Sequence, residues 1–79
     1  MVAWVLYSRC GCHLCEAAED IVLAHRPEVV VIDVDRDAQT RALFDLRVPV
    51  LEIDGAVAIE GRFDEATVAR LAAGRVSDA

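Results

Sequence analysis

The chain has no lysine. Its eight basic residues are all arginine, set against fourteen acidic ones, and the formal net charge is −6. No basic stripe exists to neutralise a phosphate backbone, so nucleic acid is excluded as a partner. Long hydrophobic runs are missing too. No segment approaches the roughly 18 apolar residues of a membrane span, and no membrane association is expected. The start, "MVAWVLYS", carries no basic n-region and is too short for a secretory signal, so it reads as part of the folded domain. A cytoplasmic location is the resulting expectation. Internal repeats, low-complexity tracts and linkers are also absent. Residues 1–79 therefore read as one domain, expected to be a monomer, with a frayed tail over 74–79.

What is present is a core. A chain of 79 residues sits near the lower limit of independent folding, but a hydrophobic fraction of 56% compensates and argues against disorder. "VAWVLY" (2–7) is a continuous apolar run, as in a strand buried on both faces. Leu14, Ala17, Ala18, Ile21, Val22 and His25 then recur at helical spacing up to Pro27, with Glu16, Glu19 and Asp20 on the other side. "EVVVIDVD" (28–35) is a second, β-branched strand. Asp37 can cap a short helix, "AQTRALFDL", with Leu43, Phe44 and Leu46 as its apolar face. "VPVLEIDGAVAIEG" reads as a hairpin about Asp54-Gly55. A last helix starts near Asp64, with a staple between Phe63 and Val68 and a buried stripe of Val68, Leu71 and Ala72.

The predicted order is β-α-β-α-β-β-α. A helical crossover makes the first two strands parallel, and the hairpin adds antiparallel ones. The expected fold is α/β, a mixed four-stranded sheet with helices on both faces.

All three cysteines lie in "YSRCGCHLCE": Cys10, Cys12 and Cys15, with His13 among them. Such spacing cannot cross-link distant parts of a fold, and in a reducing cytoplasm clustered cysteines are catalytic or metal-binding more often than structural. Cys12 falls between a strand and a helix, where free backbone N–H groups and the helix dipole favour an anionic sulfur. Cys15 follows at three residues, on the same helix face. The pair meets the requirement of a dithiol catalyst, in which Cys12 attacks a disulfide and Cys15 resolves the mixed disulfide. His13, beside the nucleophile, is expected to support it; the alternative is a solvated polar residue. His25 is expected to offset the negative end of its helix.

A CxxC opening a helix, with Val48-Pro49 before a later strand, resembles the thioredoxin superfamily. It is most similar to the glutaredoxins and the small glutaredoxin-like proteins of bacteria. The likeness runs through "LYSRCGCHLC", "RVPVLEIDG" and "EGRFDEATV" in the family's order. It implies a thiol–disulfide oxidoreductase with Cys12 as nucleophile and Cys15 as resolving cysteine. Pro49 would be the cis-proline facing them, and the Val48 backbone would pair with a bound peptide or glutathione. Arg9 would contact a glutathione carboxylate or remain a solvated charge. Gly61 and Asp64 would stand for the family's glutathione clamp, although Arg62 replaces its second glycine. His-Leu also stands where glutaredoxins usually carry Pro-Tyr. The implied partner is a disulfide-containing protein or a glutathione mixed disulfide. Glutathione is a candidate co-substrate, and no tightly bound cofactor is expected.

Cys10 has no counterpart in that pattern, and three readings of it stand. It is a bystander thiol, or the partner of an alternative disulfide, or part of a zinc, copper or iron–sulfur ligand set with Cys12, Cys15 and His13. Adjacent ligands in one turn seldom converge, and metal is not among the expected site assignments. A small metal carrier and a non-catalytic thioredoxin-fold binding domain remain the alternative functions.

Overall fold

The computed structural model describes residues 3–74. Its elements follow the expected order: β1 (Trp4–Ser8), α1 (His13–His25), β2 (Val30–Asp33), α2 (Ala38–Phe44), β3 (Val50–Ile53), β4 (Ala56–Glu60) and α3 (Glu65–Ala72). One four-stranded sheet runs β2-β1-β3-β4. β1 pairs with β2 in parallel, Leu6 opposite Val31, and with β3 antiparallel, Leu6 opposite Leu51. The β3–β4 hairpin closes through Asp54 (φ 54°) and Gly55 (φ 86°), the two positive angles that a type I′ turn demands. Asp54 also accepts the Ala3 N–H at 2.9 Å and donates its own N–H to the Ala3 carbonyl at 2.8 Å, tying the turn to the edge of β1.

Strand alternation sorts the core into two clusters on opposite faces of the sheet. Trp4, Leu6 and Leu51 form one cluster with Ala18 and Val22 of α1, with Val68 of α3, and with Val29 and Phe63 of the connecting segments. Tyr7 and Val50 face the other way, toward Val34, Phe44 of α2 and Val48, with the Tyr7 and Phe44 rings stacked at 4.4 Å. Helices thus cover both faces. The staple is formed as expected, Phe63 and Val68 both being buried in one cluster. Arg26 closes the far end of that cluster, its guanidinium 4.8 Å from the Trp4 ring and donating to the Ala72 carbonyl. His25 Nε2 lies 2.9 Å from Glu65 Oε2, so α1 ends against the start of α3.

Several boundaries differ from the sequence reading. β1 reaches Ser8 rather than stopping at Tyr7, and the expected start at Val2 lies outside the described residues. β2 covers only 30–33, because the Asp33 carboxylate accepts the Asp35 N–H at 2.9 Å and bends the chain into a 3-10 turn over Val34–Arg36. The buried stripe of α1 is Cys15, Ala18 and Val22, while Leu14 and Ala17 are exposed. α2 stops at Phe44, since Arg47 and Val48 both donate backbone N–H groups to the Phe44 carbonyl and turn the chain away. Leu43 and Leu46, expected on its apolar face, are instead 63% and 94% exposed. Beyond Gly74 the expected frayed tail lies outside the described residues. Among the described residues no helix is long and apolar enough to cross a membrane.

Candidate active site

β1 delivers the chain to Ser8, and the turn that follows passes through Gly11 at φ 82°, a left-handed conformation that glycine adopts without strain. Cys12 then takes an extended conformation as the N-cap of α1. Its carbonyl accepts the Glu16 N–H at 2.9 Å, and its sulfur accepts the Cys15 N–H at 3.2 Å. A sulfur thus occupies the place usually held by a capping oxygen, satisfying one of the free donors of the first turn. All three cysteines are free thiols.

The two cysteines of the CxxC differ in environment. Cys12 is half-exposed, whereas Cys15 faces inward and is fully buried. Burial pushes the Cys15 thiol up to about 11, with the hydrogen bond to Cys12 acting in the same direction. The Arg9 backbone and the Ser8 hydroxyl act on the same thiol in the opposite direction, lowering it. One sulfur is accessible, and the other is buried as a thiol behind it.

His13 opens α1 with its imidazole 99% exposed and 3.9 Å from Glu16. Among the described residues it has no hydrogen bond to Cys12. Cys10 is exposed on the approach turn. No group of three or more His, Cys, Asp or Glu side chains among the described residues is arranged to hold a metal.

The Val48–Pro49 peptide is cis, as the resemblance implied. Pairing of Tyr7 with Val50 carries Pro49 to the position opposite Ser8, at the end of β1 from which the cysteine turn departs. The Pro49 carbonyl accepts the Gly61 N–H at 2.9 Å, so the "EGRFD" segment adjoins the proline. Val48 donates its N–H to the Phe44 carbonyl at 3.2 Å.

The residues expected to hold glutathione are otherwise engaged. Arg9 donates to both oxygens of Asp35 and to the side chain and backbone carbonyl of Asp45. Those two acids raise the Arg9 pKa, and Arg9 in turn holds the Asp35 carboxyl below its usual range. Asp64 caps α3, accepting the Thr67 hydroxyl at 2.6 Å and the Thr67 N–H at 3.3 Å. The Thr67 bonds hold its carboxyl below the ordinary range. Its own carboxylate thus occupies the helix terminus where a bound carboxylate would sit.

Ser8 and Glu19 were not singled out from the sequence, which put Glu19 on the outer side of α1. Ser8, 3% exposed, donates its hydroxyl to Glu19 Oε2 at 2.6 Å. A serine closing an apolar strand, and a carboxylate one turn past Cys15, were the available signals. Both residues line a depression of about 250 Å³ with Arg9, Cys10, Val31 and Asp33. A larger one of about 470 Å³, formed by Val31, Ile32, Asp33, Arg36 and Asp37, includes none of the cysteines.

The family model of the glutaredoxin-like domain (DUF836) matches residues 4–72. No curated protein matches the chain. Among solved structures, a Northeast Structural Genomics target protein from X. campestris is 30% identical with a TM-score of 0.74. The alignment covers 91% of this chain and 97% of that one.

Proposed function

The chain belongs to the glutaredoxin-like domain family, and from that premise we propose that it is a thiol–disulfide oxidoreductase acting through Cys12 and Cys15. The observation that carries the reading is the asymmetry of the pair: an accessible sulfur at the helix cap, bonded to the backbone of a buried one. Cys12 attacks one sulfur of a substrate disulfide, forming a mixed disulfide and releasing the first thiolate. Cys15 then gives up its proton and attacks the Cys12 sulfur. The Cys12–Cys15 disulfide forms, and the second substrate thiolate leaves. Run in reverse with a thiol reductant, the same exchange returns both cysteines to thiols.

A protein disulfide is the proposed substrate, its chain laid along the Val48 carbonyl beside Pro49. The engagement of Arg9 and Asp64 within the fold supports a protein over glutathione at that position. Glutathione is then a co-substrate that reduces the Cys12–Cys15 disulfide, as a reducing cytoplasm would supply it.

Reduction of a peptide disulfide and of a glutathione mixed disulfide, by the native chain and by Cys12→Ser, tests this reading. Loss of both activities in the variant is expected, with the native protein favouring the peptide. Equal rates for native and variant would overturn the assignment. Cys15→Ser should accumulate the mixed disulfide on Cys12, visible as a covalent adduct in intact-mass spectra.

A further inference from the structure

Cys10 is the sulfur that the exchange through Cys12 and Cys15 leaves unused. It is exposed on the turn between β1 and α1, one residue short of Cys12 with Gly11 between them. Two Cα–Cα steps of about 3.8 Å separate the Cα atoms of Cys10 and Cys12 by no more than about 7 Å. A disulfide spans roughly 4.4–6.8 Å between such atoms, so the pair lies within bonding reach through the chain itself. The backbone turns at Cys10 and Gly11, which draws the flanking residues together. A side-chain carbon at Gly11 would meet no heavy atom within 4 Å, so the turn stands clear of the rest of the fold there. Cys12 is the extended cap of α1, with Cys10 before it and Cys15 after it. Those two neighbours differ in access. Cys15 is fully buried, and burial holds its proton in place. Cys10 borders an open depression and gives up its proton to water directly.

We propose that Cys10 is a second resolving cysteine, which discharges the mixed disulfide on Cys12 from the solvent side. The inference rests on Cys12 being the attacking residue. The Cys10 thiolate, its proton given to water, attacks the Cys12 sulfur. The Cys10–Cys12 bond forms, the bond between Cys12 and the substrate sulfur breaks, and the substrate leaves as a thiolate. Cys15 then loses its proton and attacks the Cys12 sulfur in turn, and Cys10 leaves as a thiolate. The ring closed over one intervening residue is tighter than the ring closed over two, so it yields to Cys15. Both routes end at the Cys12–Cys15 disulfide and deliver the same two electrons to the substrate. The route through Cys10 frees the substrate without waiting for the buried thiol. Cys10 bonds to the reacting sulfur and is catalytic.

The steps separate with one equivalent of an aromatic disulfide, 5,5′-dithiobis(2-nitrobenzoate). Attack by Cys12 releases the first coloured thiolate, and resolution releases the second. In Cys15→Ser the adduct on Cys12 should build up and then decay, leaving a chain two hydrogens lighter than its reduced form. Cys10→Ser/Cys15→Ser should hold the adduct, with a second phase at least about tenfold slower. With Cys15 in place, whatever the folding of the Cys15 variants, Cys10→Ser should slow the second phase about threefold or more. The first phase should stay within about twofold. Tandem mass spectra of acid-quenched samples should place the first adduct on Cys12 and the transient bond between Cys10 and Cys12. An adduct as persistent in Cys15→Ser as in the double variant overturns the proposal. So does an unchanged second phase in Cys10→Ser, or a first adduct on Cys10. A second phase that quickens with protein concentration overturns it too, because that bond joins two chains. Absence of a first phase in Cys10→Ser overturns Cys12 as the nucleophile, and the second resolving cysteine with it.

Discussion

Arg9 holds Asp35 through two N–H···O bonds of 2.9 and 3.0 Å across 26 residues of sequence. The same guanidinium reaches Asp45, so one side chain fastens the cysteine turn to the 3-10 turn and to the end of α2. Its contribution is to placement. Arg9→Gln should lower the urea midpoint, and added salt should lower the native midpoint more than the variant's, because exposed ion pairs are screened. The KM for a glutathione mixed disulfide should move by less than about twofold. A large rise in KM with unchanged stability would return Arg9 to the substrate.

The buried thiol sets an alkaline limit. Folding raises Cys15 from an ordinary 9.0 to about 11. Between those values the folded chain binds more protons than the unfolded one. Its stabilisation is therefore complete below pH 9 and is lost as pH rises through 11, up to about 2–3 kcal/mol. Urea unfolding under reductant at pH 8 and pH 11 should show a smaller loss for Cys15→Ala than for the native chain. Tyr7, raised by burial and by Glu52, contributes equally to both proteins and cancels. Identical losses would contradict the effect.

Accessibility should also separate the three thiols. In the native protein, iodoacetamide should add twice, at Cys10 and Cys12, and the third adduct should await opening of the fold. Mass spectra recorded with and without urea check this. Rapid triple addition without denaturant would show that Cys15 is not shielded.

Packing predictions fall to the staple and to the exposed leucines. Val68→Ala removes two methyls from a fully buried site and should cost about 2–3 kcal/mol. For a domain of this size that lowers the melting temperature by roughly 10–20 °C. Leu46→Ser, at a site 94% exposed, should change stability by no more than about 0.5 kcal/mol.

That contrast also shows how far the sequence could be read. Asp54-Gly55 specified its hairpin because both positive angles are demanded locally. Phe63, Asp64 and Val68 specified the last helix for the same kind of reason. Leu43 and Leu46 misled, because periodicity reports which residues are apolar and not where a helix stops. Two backbone donors converging on the Phe44 carbonyl decide that. The β-branched run over 28–35 concealed a turn that depends on one aspartate side chain bonding the backbone two residues on. The paired cysteines were legible from spacing alone. The engagement of Arg9 was not, since its acidic partners lie 26 and 36 residues away. Ser8 and Glu19 meet only when strand and helix are folded together.

β1 comes first in the chain but lies inside the sheet, between β2 and β3. A ribosome therefore releases the cysteines well before the strand that completes their surroundings. β3 follows Cys15 by roughly 35 residues, which at about 5–20 residues per second is an interval of seconds. Through that interval the nascent chain carries three thiols of equal standing. The division into an accessible sulfur and a buried one is acquired with the last strands. The newborn polypeptide and the folded domain are, toward an oxidant, different reagents.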